Sequence, residues 1–94
     1  QNKNTSAETL ILLAKDISWS IRSNVARNPS SPSEALALLI NDDVWWVSRD
    51  VALNKNTPSA LLLKLTKDKN IQISEIAEEA LKDRKEKSKA NIER

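Results

Sequence analysis

The apolar residues of this chain fall into short stretches wound at helical spacing and separated by polar breaks. Leu10 and Leu13 stand at i, i+3, as do Leu36 with Leu39 and Leu62 with Leu65, so each pair forms one apolar stripe on a short helix. Downstream of the first two stripes lie Ile21 with Val25 and Val47 with Val51, at i, i+4, which share a face of a second helix. Thr5-Ser6-Ala7-Glu8 and Ser31-Pro32-Ser33-Glu34 match the S/T-x-x-E start signal, in which hydroxyl and carboxylate satisfy orphan N–H groups reciprocally. Thr57-Pro58-Ser59-Ala60 keeps the hydroxyl without the Glu, and Pro32 and Pro58 suit a first helical position, where a missing N–H costs nothing. Pro29 pushes Asn28 toward an extended backbone and stops the helix there; Asn54-Lys55-Asn56 stops the next with polar turn formers. With no Gly and no Asn-Gly or Asp-Gly hairpin signal, the pattern predicts helices and no sheet.

The units repeat. Val25-Ala26-Arg27-Asn28 lies over Val51-Ala52-Leu53-Asn54 at an offset of 26 residues. The same offset aligns Glu8 with Glu34, Leu10 with Leu36, Leu13 with Leu39, Asp16 with Asp42 and Trp19 with Trp45, making eight identities where chance gives about one or two. A second step aligns Pro32-Ser33 with Pro58-Ser59, Leu36 with Leu62, Leu39 with Leu65, Asp42 with Asp68 and Ser48 with Ser74, while Trp45 gives way to Ile71 and Val47 to Ile73. The reading is a single domain over 1–94, with repeats at about 5–30, 31–56 and 57–82 and a polar helical tail over 83–94. The third unit has no Asn-Pro stop, so its second helix runs on as a cap with a polar end, which a stacked array needs to stay soluble.

Composition removes whole classes of chemistry. Of 94 residues, the only aromatics are three Trp, and there is no Cys, His, Gly, Met, Tyr or Phe. That excludes a disulfide framework and thiolate metal sites, a phosphate-cradling glycine loop, and the commonest general base. The chain is read as no enzyme, with no cofactor and no metal site. The net charge is +2, and the three regions 1–27, 28–63 and 64–94 carry +2, −2 and +2, so no segment is the clustered basic face of a dedicated nucleic-acid binder. The longest apolar run, Ala35 to Ile40, is far short of a membrane span. With no secretory segment and no Cys, a cytoplasmic setting is expected. A chain opening on Gln1 is expected to be trimmed, processed or cut from something longer.

The pattern Asp-x-x-Trp-x-Val-x-x-x-Val-Ala-x-Asn-Pro-x-x-Pro, carried by Asp16, Trp19, Ile21, Val25, Ala26, Asn28, Pro29 and Pro32 and again by Asp42, Trp45, Val47, Val51, Ala52, Asn54 and Pro58, resembles the leucine-rich repeat variant family, a relative of HEAT-like α-solenoids. Arg22 fits the family's Arg after the Ile/Val position, whereas Ser48 and Ser74 depart from it. The resemblance covers about residues 5–80 and implies an all-α, right-handed solenoid of about three two-helix repeats. The cysteine-rich iron–sulfur segment of some members is not carried over.

The expected function is a non-catalytic module for protein–protein interaction or scaffolding, because stacked repeats present an extended surface to partners. The alternative is a nucleic-acid-associated HEAT-like module with a connected basic face of Arg22, Arg27, Arg49 and Lys55. Asp16, Asp42 and Asp68 are read singly as helix caps, and Asp42-Asp43 makes a poor catalytic dyad because neighbouring side chains diverge. Trp19 and Trp45 are read as one large core residue per unit, since Ile71 at the third position packs but cannot stack a base. Trp46 breaks the repeat rule, for Ser20 and Gln72 hold its place in the other units. It is expected to be partly exposed and, with Arg22 and Arg49, to form the partner-binding set; Trp46→Ser should then leave the melting temperature nearly unchanged. As a core residue of the central unit, Trp45 should cost about 3–5 kcal/mol when cut to Ala, more than Trp19, as read by urea unfolding.

Overall fold

The computed structural model describes residues 6–92. It contains six helices: α1 (Ala7–Leu13), α2 (Trp19–Arg27), α3 (Ser33–Leu39), α4 (Trp45–Leu53), α5 (Ser59–Leu65) and α6 (Ile71–Ile92), with no strand among the described residues. The first helices of the three units begin 26 residues apart, and so do the second helices. α4 packs between α2 and α6, α1 lies against α3, and α5 lies against α6. The chain is therefore all-α, a stack of two-helix repeats.

The stripes read from the sequence build the core. Leu10, Leu36 and Leu62 are fully buried, as are Leu39, Val25, Val47 and Val51, joined by Leu65, Ile73, Ala26, Ala52 and Ala77. Each Leu so buried contributes about 1.5–3 kcal/mol. Trp19 and Trp45 are not among them. They are 49% and 39% exposed, and Ile71 at the third position is 70% exposed. The expectation of one core Trp per unit is thereby corrected. The repeated large residue opens the second helix, at its first turn on the rim of the stack, and the Leu, Ile and Val positions already fill the interior.

The turns are tied by side chains in a way the start signals misplaced. Thr5 lies outside the described residues, and Ser6 caps α1 by accepting from the Thr9 N–H at 3.2 Å. Ser31 does not cap α3: its hydroxyl donates backward to the Val25 carbonyl at 2.6 Å, and Thr57 donates to Val51 O at the same distance. Each hydroxyl adds a second donor to a carbonyl in the last turn of the preceding helix, which already accepts from the N–H of Asn28 or Asn54. Pro32 and Pro58 sit one position earlier than expected, at the N-caps of α3 and α5. Asp16, Asp42 and Asp68 face forward, accepting from the N–H groups of Ser18, Val44 and Asn70 at 2.8–2.9 Å. They fold the turn into the second helix rather than cap the end of the first.

Asn28 and Asn54 end α2 and α4 in extended backbone, as the sequence predicts. Asn54 does more. Its buried amide donates to Ala26 O at 2.8 Å and to Asn28 O at 3.0 Å, in the preceding unit, while its Oδ1 accepts from Asn56 N–H at 2.9 Å. Asn28 makes the equivalent turn bond to Ser30 N–H, but its buried Nδ2 has no hydrogen-bond partner among the described residues. Farther along, Arg84 of α6 donates to Ser59 Oγ and Lys55 O, pinning the long helix to the start of α5 and to the turn that precedes it.

The asymmetry between the two asparagines is measurable. Asn54→Ala strands the Ala26 carbonyl in a dry site, takes one of two donors from Asn28 O and breaks the turn bond to Asn56, and should cost about 2–3 kcal/mol. Asn28→Ala loses one turn bond and should cost about 1 kcal/mol. Urea unfolding of the two variants beside the native chain checks the difference; equal costs contradict the inter-unit role of Asn54.

Candidate functional site

Because α2 and α4 pack side by side, the starts of both helices meet. Trp46 stands between the other two indoles, edge-to-face with Trp19 at 5.2 Å and with Trp45 at 5.9 Å between ring centroids. It is half-buried and packs on the core. Arg49, one turn on, lays its guanidinium over the Trp45 ring at 5.2 Å, a cation–π contact. Together with Arg27 and Asp50, these side chains line an open groove of about 430 Å³ between the two helices.

Asp50 is 4% exposed and is claimed from within. It accepts from Ser23 Oγ at 2.6 Å, and Arg49 Nη2 reaches its other oxygen at 3.4 Å. The carboxylate thus joins α2 to α4 beneath the indoles and offers the groove little free charge. Arg49 Nε is buried and has no hydrogen-bond partner among the described residues, and Arg27 donates to the neutral Asn24 side chain at 3.1 Å.

Arg22 belongs to a different part of the molecule. Its guanidinium forks onto Asp42, Nε to Oδ2 at 2.7 Å and Nη2 to Oδ1 at 3.0 Å, while Nη1 donates to the carbonyls of Asp16 and Ile17. Hydrogen bonding to Asp42, above all, holds the guanidinium pKa above its ordinary value, with smaller support from the charges of Asp42, Asp43 and Asp16. A pKa raised on folding means that the guanidinium's own contribution to stability is fully present below its ordinary value, and so throughout the neutral range. Of the three residues singled out by sequence, Trp46 and Arg49 come together in the groove, and Arg22 pins the turn of unit one to that of unit two. Trp19, Trp45, Arg27 and Asp50 complete the groove. Asp50 could have been found by the rule that exposed Trp46, for its repeat equivalents are Asn24 and Ile76.

Residues 19–44 match the family model described as leucine rich repeat variant. The matched stretch resembles one leucine rich repeat variant unit. It runs from the first residue of α2 to the residue before α4, which is one full 26-residue period. The matched stretch thus contributes Trp19, Arg22 and Arg27, and the next period supplies Trp45, Trp46 and Arg49. No curated protein and no solved structure matches the chain. Among the described residues, no group of three or more His, Cys, Asp or Glu is arranged to hold a metal ion, and no helix is long and apolar enough to cross a membrane.

The ring geometry reverses the expected order of Trp substitutions. Trp46→Ser removes two edge-to-face pairs worth about 0.5–1.5 kcal/mol each, along with buried area, and should cost about 2–3 kcal/mol. Trp45→Ala and Trp19→Ala, at the exposed rim, should each cost about 1 kcal/mol. Urea melts of the three variants check the ranking; the largest loss at Trp45 contradicts it.

Proposed function

We propose that this chain is a non-catalytic helical-repeat module that binds a protein partner in the groove between α2 and α4, with Trp46 and Arg49 as contact residues beside Trp19 and Trp45. The observation that carries the reading is the exposure of Trp19 and Trp45. Two indoles held in water, above a core already filled by aliphatic residues, are an apolar surface that folding alone does not require. Trp is also enriched among binding hot spots, because it desolvates a large area on a stiff side chain. Repeat modules commonly serve protein interaction, which supports the same reading. Arg22 enters it as the residue that fixes unit one against unit two. Catalysis has no part in it: Asp42 is committed to Arg22 and Asp50 to Ser23 and Arg49.

The nucleic-acid alternative has less support. It needs Arg22, Arg27, Arg49 and Lys55 as one connected face, and Arg22 already spends its guanidinium on Asp42 and two carbonyls.

Trp19→Ser tests the groove, because Trp19 is half exposed and its loss spares the core. Partners captured from an extract of the source organism by the native chain are identified and titrated against both proteins. Binding should weaken by about tenfold or more in Trp19→Ser, with the helical circular dichroism spectrum retained. Equal affinity for both proteins overturns the groove as the binding site.

A further inference from the structure

The charge around the groove narrows the kind of partner it fits, on the footing that the groove is the binding site. Arg22 shows what a satisfied guanidinium looks like in this fold, with a bidentate carboxylate at 2.7 and 3.0 Å. Neither arginine of the groove has that. Arg27 holds only a neutral amide oxygen. Arg49 reaches Asp50 at 3.4 Å, and its Nε has no hydrogen-bond partner among the described residues. The acid within the groove, Asp50, is buried and already accepts from Ser23, so the accessible charge there is positive. Guanidinium groups make their strongest hydrogen bonds as paired forks onto carboxylates or phosphates; the exposed Arg27 has no carboxylate on its fork among the described residues, and Arg49, with Nε buried, turns only its Nη groups to the groove.

The layout is ordered. The indoles lie at the starts of α2 and α4, Arg49 follows Trp46 by one turn, and Arg27 follows Trp19 by eight residues. At about 1.5 Å per residue, eight residues of helix advance the groove by roughly 12 Å. An extended peptide covers that distance in about four residues.

We infer that the groove takes an acidic protein segment: an extended peptide whose apolar residue seats against Trp19 and Trp46, with Asp or Glu within about four residues of it facing Arg49 and Arg27. The indole arrangement favours peptide over single-stranded nucleic acid. Base stacking needs free ring faces; here Arg49 covers the Trp45 ring, and Trp46 is engaged by both neighbours.

A random dodecapeptide phage library panned on the immobilised native chain tests this. The enriched pool should combine Asp or Glu with a nearby large apolar residue. Synthetic peptides from it should bind at least tenfold more weakly to Arg27→Glu, an exposed position whose side chain donates to Asn24, and to Arg49→Gln. Replacing their acids by Lys should abolish binding to the native chain and restore part of it to Arg27→Glu. A pool without acidic enrichment, no enrichment at all, or affinity unchanged in both arginine variants overturns the inference. So does tighter binding of fluorescein-labelled oligothymidylate than of the selected peptides. The Trp19→Ser variant separates the two levels of failure. Non-acidic peptides that still require Trp19 leave the groove standing and remove the acidic partner, whereas peptides indifferent to Trp19 remove both.

Discussion

The side-chain amide of Asn54 is the interaction on which the arrangement of the units rests. One buried group closes its own turn through Oδ1 and, through Nδ2, holds the final carbonyls of the preceding second helix. Asn28 O also accepts from Ser31 N–H, but the Ala26 carbonyl has no partner within α2, and an apolar neighbour would leave it unpaired in a dry site. The need is met from the equivalent place in the next unit, which sets α2 beside α4 at a fixed register. Trp19 is thereby brought against Trp46, and Ser23 against Asp50. The site is a consequence of how one unit ends and the next begins.

Two kinds of position follow. Residues that return every 26 places do architectural work: Leu10, Leu36 and Leu62 in the core, Asp16, Asp42 and Asp68 in the turns, Asn28 and Asn54 at the helix ends. Residues that break the period make the units differ. Arg22 clamps Asp42 of the next unit, and its counterpart Ser48 bonds back to Leu39 O instead, so the second junction lacks that clamp. Trp46, Arg49 and Asp50 stand where unit one has Ser20, Ser23 and Asn24, and all three line the groove.

The fold was legible because its signals are local and doubled: a Leu stripe, a stop at Asn, and a step of 26 residues that carried both to the next unit. Trp46 stood out for the opposite reason, as a break in that step. The reading failed where direction mattered. A hydroxyl three residues before Glu34 satisfies the capping pattern, yet Ser31 turns back to Val25, because Pro32 holds the N-cap position and Ser31 lies one residue before it. A large apolar residue recurring at one position suggests a core. At the first turn of a helix on the rim of a thin two-layer stack, the same recurrence places Trp19, Trp45 and Ile71 in water. The contact of Ser23 with Asp50 spans 27 residues, and no local pattern announces it.

The central claim is that the indoles form a surface groove beside positive charge rather than a buried core. Quenching of the native tryptophan fluorescence by iodide and by caesium tests it most directly, since the chain carries no other aromatic residue. The account predicts substantial quenching by iodide, drawn in by Arg27 and Arg49, and weaker quenching by caesium at equal ionic strength. A blue-shifted emission that neither ion quenches would place the tryptophans in the interior and contradict it.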